Sequence, residues 1–154
     1  MNTPVESQRL QVLIRPAHAG DAGGIARLLD VLGYPCRREE AQERLQHLEQ
    51  ESDQQLLIAD RHGDLVGLVS LDFMYYLPLG ARTCRITALA VLPEQQRHGV
   101  GRQLLREAET RARQAGAARI ELTSAPHRSQ AHEFYRACGY EDGALRFVKR
   151  LGAA

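Results

Sequence analysis

The chain has 154 residues, of which 44% are hydrophobic and 25% charged, and its formal net charge at pH 7 is +1. These values are typical of a globular protein with a hydrophobic core, and they argue against a disordered tail or the strongly basic surface of a nucleic-acid-binding protein. No apolar run approaches the roughly 20 residues of a membrane-spanning helix, and the first residues lack a signal-peptide pattern. We therefore expect a cytoplasmic protein without nucleic-acid or membrane partners, with a single domain over residues 8–151 and a flexible N-terminus over 1–7.

Cysteine and histidine spacing gives no sign of a disulfide or a metal site. Cys36, Cys84 and Cys138 are odd in number, far apart and without a Cys-x-x-Cys pair. That arrangement fits neither a disulfide framework nor a zinc site. His127 and His132 are five positions apart, a spacing that does not place two side chains on one helical face. We expect three reduced thiols and no bound metal.

In the first half of the chain, hydrophobic periodicity predicts a strand, two helices and a hairpin. Apolar and polar residues alternate up to Pro16, and apolar residues then recur at helical spacing between Asp21, which can cap a helix, and Gly33. A second helical stripe follows, and the turn residues Gly63 and Asp64 separate two aliphatic runs. The predicted elements are a strand at 10–15, helices at about 22–32 and 38–50, and strands at 55–59 and 65–73.

The second half alternates strands and helices. Pro78 and Gly80 predict a loop at 75–80, and an aliphatic run that stops at Pro93 predicts a strand. The clearest helix follows, because apolar residues keep the 3.6-residue period from Leu104 to Ala115. The remaining predictions are strands at 85–92, 120–123 and 145–149 and a helix at 129–137. This order predicts an α/β fold built on one mixed sheet, since each helix must bury its apolar stripe against a sheet face.

The segment Gln96-Arg97-His98-Gly99-Val100-Gly101 joins a strand to the clearest helix. The first turn of a helix has amide N–H groups without partners and carries roughly half a positive charge, so it attracts anions. Gly99 and Gly101 remove side chains that would block the approach of a phosphate. A Gly-x-Gly spacing is also typical of a plain strand-to-helix turn, so the spacing alone leaves both interpretations open.

Two sequence blocks resemble the GNAT superfamily of acetyl-CoA-dependent N-acetyltransferases. Gln96-x-x-Gly99-x-Gly101, after Leu89-Ala90-Val91 and before a long amphipathic helix, resembles the acetyl-CoA pyrophosphate motif. The segment 131–140 is similar to the superfamily's second block, an Ala, then Phe-Tyr, then Gly and an aromatic residue. The order and separation of the blocks also match, and the resemblance covers nearly the whole chain. It implies a mixed, mostly antiparallel central sheet with helices on both faces, and acetyl-CoA as co-substrate.

The resemblance also implies which residues bind acetyl-CoA. Main-chain groups of the strand would pair with the pantetheine arm like an added strand, and amides of the loop would hold the pyrophosphate. Arg128 stands where the family often has Asn, and its guanidinium either contacts the phosphate or ribose or is a solvated surface group. The predicted cofactor-binding residues are Leu89, Ala90, Val91, Gln96, Arg97, His98, Gly99, Val100, Gly101, Arg102 and Arg128.

The resemblance makes Tyr135 the predicted catalytic residue. Its phenol would lie beside the cofactor sulfur and protonate the departing thiolate, a role within the reach of a tyrosine acting as general acid. The alternative is a core aromatic residue next to Phe134. The Glu that many relatives use as general base is missing, since Thr87 and Ala88 stand in that strand.

Two kinds of group remain as acceptors of the amine's proton. Water relayed along the strand carbonyls is favoured, because an exposed carboxylate is a poor base unless burial raises its pKa. The other candidates are Asp72 and Glu121.

The predicted acceptor is a primary amine on a small molecule. The segments 121–135 and 146–149 resemble those of aminoalkylphosphonate and related small-amine acetyltransferases. The predicted substrate-binding residues are Tyr34, Asp72, Tyr75 and Tyr76, each of which could also be a rim or core residue. Acetylation of a protein N-terminus or lysine, a non-catalytic acetyl-CoA-binding regulator and a homodimer all remain open.

Overall fold

The computed structural model describes residues 11–124 and 128–152. Two compact units divide the chain, residues 1–122 and 123–154. The described part of the first unit contains β1 (Leu13–Pro16), α1 (Ala22–Val31), α2 (Arg38–Glu49), β2 (Gln54–Arg61), β3 (Asp64–Tyr76), β4 (Ala81–Val91), α3 (Val100–Gln114) and β5 (Ile120–Leu122). The described part of the second unit contains α4 (Ser129–Ala137). The predicted flexible N-terminus 1–7, Leu10 and His127 lie outside the described residues. No helix in the described part combines the length and apolar character that a bilayer crossing requires.

The five described strands form one sheet in the order β1-β2-β3-β4-β5. Neighbouring strands run antiparallel from β1 to β4, whereas β4 and β5 run parallel. The tight turn between β2 and β3 has positive φ at His62 (50°) and Gly63 (94°), the combination that favours a two-residue hairpin. The predicted α/β fold with a mixed, mostly antiparallel sheet is confirmed.

One face of the sheet carries α1 and α2. Asp21 ties the start of α1 to β1, because its buried carboxylate accepts two hydrogen bonds of 2.9 Å from the Arg15 guanidinium. Burial by itself raises the pKa of Asp21, but the bonds from Arg15 and from the His18 amide outweigh it and hold the pKa below its ordinary value. The cluster that both helices share with the sheet consists of Ala22, Ile25, Ala26, Leu28, Ala41, Leu45, Ile58, Leu68, Ala90 and Leu92.

The opposite face carries α3, which contacts β3 closely at Gly67. A Cβ added at Gly67 would lie 2.9 Å from Cδ1 of Leu104 and 3.2 Å from Cγ1 of Val100. The missing side chain therefore lets the first two turns of α3 lie directly on the sheet. Helices on both faces of the sheet are confirmed.

Replacing Gly67 with Ala is expected to lower the free energy of unfolding by about 1–3 kcal/mol, the usual cost of overpacking a core. Gly23→Ala is the matched control, because Gly23 is exposed on α1 and the nearest atom to an added Cβ is Cδ of Arg38 at 4.0 Å. That control should gain stability, by about 0.5–1 kcal/mol. Urea unfolding of both variants measures the difference, and equal effects would contradict the close contact at Gly67.

The predicted closing strand at 145–149 is wrong, because residues 141–150 form no regular structure. Alternating apolar residues suggested a strand, but a strand needs a neighbouring strand to pair with its backbone. Leu145 and Phe147 instead remain 83% and 89% exposed.

The predicted loop at 75–80 is shorter in the structure. Pairing between β3 and β4 continues to Tyr76 opposite Ala81, so β4 begins four residues before the predicted start at 85. The turn itself is confined to a 3₁₀ turn at Leu77–Leu79 followed by Gly80, whose φ is 62°. Pro78 and Gly80 thus mark the turn correctly, while pairing across the hairpin extends both strands.

Candidate active site

A β-bulge at Thr87 separates two parts of β4. Ser70 of β3 pairs with Ala88, whereas Leu71 pairs with Ile86, which leaves Thr87 as the extra residue. The Thr87 hydroxyl donates a hydrogen bond of 3.3 Å to the Ser70 carbonyl. Among the described residues, β5 pairs with β4 only over Cys84–Ile86, so the bulge coincides with the point at which β4 loses its second neighbour.

Beyond the bulge, β4 presents main-chain groups at an edge that β5 does not cover. The Leu92 amide donates a hydrogen bond of 2.9 Å to the Val66 carbonyl on β3. Because successive residues of a strand point their main-chain groups in opposite directions, those of Leu89 and Val91 point away from β3. By the same alternation the main chain of Ala90 faces β3, and its side chain lies in the core. The structure therefore places two of the three predicted strand residues at this edge.

The loop after β4 turns into α3 through two residues with left-handed backbone. Arg97 has φ 66°, and Gly99, immediately before the helix, has φ 84°. A Cβ at Gly99 would meet nothing within 4 Å, so the turn is open on that side. The first helical hydrogen bond runs from the Gln103 amide to the Gly99 carbonyl, at 3.0 Å. The amides of Val100, Gly101 and Arg102 therefore have no acceptor within the helix and are available to an anion.

The charges around this turn also favour an anion. No acidic residue lies in the first turn of α3, so nothing there offsets the positive end of the helix macrodipole. Arg97, His98 and Arg102 are exposed around it. Gln96 has a different role, because its side-chain amide donates a hydrogen bond of 3.2 Å to the Val91 carbonyl and links the loop to the strand edge.

Two long-range contacts hold the start of the loop. Arg27 of α1 donates a hydrogen bond of 3.0 Å to Glu94, and Arg61 of β2 donates one to Gln95. Both acceptors lie in the 3₁₀ turn Pro93–Gln95. Sequence reasoning missed these contacts, since the partners are 67 and 34 positions apart and neither pair forms a local motif.

Tyr135 lies on α4, in the second unit. Its ring centroid is 5.5 Å from that of Phe134 and 6.2 Å from that of Tyr140. Burial raises the pKa of Tyr135 above its ordinary value, and the positive charge of Arg128 only partly opposes this effect. The phenol is therefore protonated at neutral pH, as a proton donor must be. Arg128 itself is exposed just before the helix.

The four residues predicted to bind the substrate lie in three different places. Asp72 and Tyr76 lie on the α1/α2 face of β3, because both are an odd number of residues from Gly67, which faces α3. Tyr75 lies on the opposite face and is 62% exposed. Tyr34 is 68% exposed in the connection between α1 and α2. Only Asp72 and Tyr76 therefore share a sheet face.

The cysteine on β4, Cys84, is not a reactive nucleophile. Cys36, Cys84 and Cys138 are free thiols, as expected. Burial, with a smaller effect from Asp72, raises the pKa of Cys84 to about 11, so this thiol stays protonated and unreactive at neutral pH. In the two described ranges, no three His, Cys, Asp or Glu side chains are grouped to hold a metal ion.

A cleft of about 510 Å³ lies between the start of α1, the turn after β2 and the start of the loop. None of the predicted site residues lines this cleft. Its lining residues are Gly20, Asp21, Gly23, Gly24, Arg27, Gly63, Asp64, Leu65, Val66, Leu92, Glu94 and Gln95.

Comparison with known proteins identifies the family. Residues 25–140 match the model of the acetyltransferase (GNAT) family. The chain belongs to this family of acyltransferases, as its two sequence blocks predicted.

One curated relative is the aminoalkylphosphonate N-acetyltransferase of Salmonella typhimurium, which is 40% identical over 94 residues. The matched part is 61% of this chain and 61% of that protein, so it spans less than two thirds of the relative's length.

Two solved structures share the fold. A transcriptional regulator from Bacillus halodurans C-125 superposes with a TM-score of 0.85 at 24% identity, over 92% of this chain and all of that one. An aminoglycoside N-acetyltransferase in complex with CoA gives a TM-score of 0.79 at 16% identity, over 93% of this chain and 96% of the other.

Proposed function

We propose that the protein transfers the acetyl group of acetyl-CoA directly to a primary amine on a small molecule. One observation carries this proposal: the outward main-chain groups of Leu89 and Val91 are followed, within one loop, by the unpaired amides at the start of α3. Acetyl-CoA has a matching order of groups, an amide-bearing arm and then a pyrophosphate. The arm would bind as an added strand, and the pyrophosphate would lie against the helix amides.

Several features of the loop and of the strand edge support acetyl-CoA as the ligand. Gly99 leaves open space at the turn, and the positive end of α3 has no acidic residue in its first turn. The Val91 carbonyl accepts a bond from Gln96 and retains a second lone pair for the arm. The bonds from Arg27 and Arg61 fix the start of the loop before any ligand binds. The CoA complex of the aminoglycoside N-acetyltransferase, which shares the fold, is consistent with this assignment.

The chemistry proposed is direct transfer. Acetyl-CoA supplies a thioester, whose carbonyl carbon the neutral amine attacks. Tyr135, protonated at neutral pH, would donate its proton to the departing sulfur, and the amine would lose its own proton to water. Because the Cys84 thiol is buried and protonated, we propose no acetylated-enzyme intermediate.

The test is release of the CoA thiol from acetyl-CoA during incubation with a panel of amines. We expect release with small amines such as aminoalkylphosphonates, the acceptor class named in the 40% identical relative. Release with peptides alone would point to a protein N-terminus or lysine as acceptor. Binding of acetyl-CoA without release in the presence of any amine would overturn the enzymatic proposal and favour a regulator.

Gly101→Val is expected to weaken acetyl-CoA affinity about 10- to 100-fold, because a side chain at the second position of α3 would displace the pyrophosphate from charge-assisted bonds to the amides. Gln114→Val, which places the same side chain in the last turn of the same helix, is the matched control and should bind normally. Titration calorimetry measures both. Unchanged affinity of Gly101→Val would remove the loop from the cofactor site.

A further inference from the structure

A row of three charged side chains crosses the sheet face that α1 and α2 cover in part. Arg85 of β4 is in register with Asp72 of β3 on one side and with Glu121 of β5 on the other. Residues in register on neighbouring strands share a face, so the cation lies between the two carboxylates. The apolar cluster beneath α1 and α2 includes Leu68 and Ala90, further along both strands, and contains no member of this row.

Arg85 is unusual among the arginines of this sheet. It is half-buried, and no hydrogen bond or ion pair joins it to another described residue. By contrast, Arg82 on the same strand bonds Asp53 at 3.0 Å, and Arg119 lies 3.4 Å from Glu121. Partial burial of a guanidinium that makes no close bond costs free energy, which hydrogen bonds donated to a bound oxyanion would offset. The structure therefore leaves one guanidinium on this face available to a ligand.

The position of Arg85 is suited to hold an acceptor. Two residues, or about 7 Å of strand, separate it from the bulge at Thr87. Beyond the bulge lie Leu89 and Val91, which are proposed to align the arm of acetyl-CoA. A small molecule that binds Arg85 through one end would therefore place its other end near the bulge. Such a molecule needs only a few bonds between its anion and its amine.

We propose that Arg85 binds the anionic group of the acceptor, so that the acceptor is a small amine that also carries an oxyanion such as a phosphonate. The inference rests on the proposed N-acetyltransferase function. A guanidinium suits this role because it binds such an oxyanion through two parallel hydrogen bonds. Sequence analysis did not single out Arg85, because one arginine at the start of the predicted strand 85–92 gives no motif; its significance comes from the lack of a close bond in the folded chain.

The test compares two acceptors of similar length, 2-aminoethylphosphonate and propylamine. The Arg85→Gln variant should lose about 10²- to 10³-fold in kcat/KM with the phosphonate, as expected when two charge-assisted bonds are removed. With propylamine the same variant should stay within about threefold of the wild type, because propylamine has no anion for Arg85 to bind.

Two further variants sharpen the test. Arg85→Lys keeps the charge but not the two parallel hydrogen bonds, so its kcat/KM with the phosphonate should fall between those of the wild type and Arg85→Gln. Arg82→Gln, three positions earlier on the opposite face, is the matched control and should change neither rate.

The outcomes separate this inference from the proposed function. A wild type that acetylates no amine of the whole panel would overturn both, whereas one that acetylates other amines but not 2-aminoethylphosphonate would overturn only this inference. A wild type that acetylates both amines equally well, or an Arg85→Gln variant that keeps its preference for the phosphonate, would overturn only the role of Arg85. Equal losses with both amines would show that Arg85 supports the fold rather than the acceptor. Unchanged acetyl-CoA affinity in Arg85→Gln, measured by calorimetry, is required for the proposal to stand.

Discussion

Replacing Tyr135 with Phe is expected to slow turnover by about 10²- to 10⁴-fold while acetyl-CoA affinity stays unchanged. The substitution keeps the ring and its contact with Phe134 but removes the proton that the proposed mechanism gives to the departing thiolate. Because burial holds the pKa of Tyr135 above its ordinary value, the wild-type phenol remains a donor throughout the neutral and mildly alkaline range. Deprotonation of Tyr135 should therefore cause no fall in activity between about pH 7 and 9.

Tyr140→Phe is the matched control for this experiment. Tyr140 carries the same phenol, and its ring lies 6.2 Å from that of Tyr135. We expect this variant to turn over within a few-fold of the wild type, since a neighbouring phenol has no assigned role in proton transfer. Rates at saturating acetyl-CoA, together with calorimetric affinities, distinguish a lost proton donor from a disturbed site. Normal turnover by Tyr135→Phe would leave Tyr135 as a packed aromatic residue.

Local sequence signals predicted most of the elements. The helices α3 and α4 were recognisable because apolar residues keep a helical period and Gly116 or Gly139 ends each one. Both glycines have positive φ in the structure, 75° and 92°, the backbone conformation that favours glycine at a helix end. The helix start and its adjacent glycines, on which the proposed anion site depends, were predictable for the same reason.

Features that depend on distant partners were not predictable. The alternation at 145–149 resembles that of a strand, yet strand formation requires pairing that no local pattern contains. The bulge at Thr87 offsets the register between β3 and β4, so it cannot be predicted from the sequence of one strand alone. The charged row through Arg85 arises from residues 13 and 36 positions away from it, on strands whose register only the fold determines.

In the proposed reaction the acceptor amine must lose a proton before it attacks, and we propose water as the acceptor of that proton. Alkyl amines have a pKa near about 10, so almost all of the amine is protonated at neutral pH. A carboxylate becomes an effective base when burial or a like charge favours its protonated form. Glu121 instead keeps 43% of its side chain exposed and lies 3.4 Å from Arg119, while Asp72 is in register with Arg85. Neither carboxylate is thus buried away from positive charge, and water remains the proposed proton acceptor.

With propylamine as acceptor, kcat/KM of the wild type is therefore expected to rise about tenfold per pH unit between about pH 6 and 9, close to 10³-fold in total. Asp72→Asn and Glu121→Gln, measured separately, should keep this ascending limb and lose no more than about tenfold in rate, because each removes a charge beside Arg85 and not the proton acceptor. Arg82→Gln, on the opposite face, serves as the control for charge changes at the sheet. If either carboxylate variant loses the ascending limb, or more than about 10²-fold in kcat/KM, that carboxylate is the base and the water route is wrong.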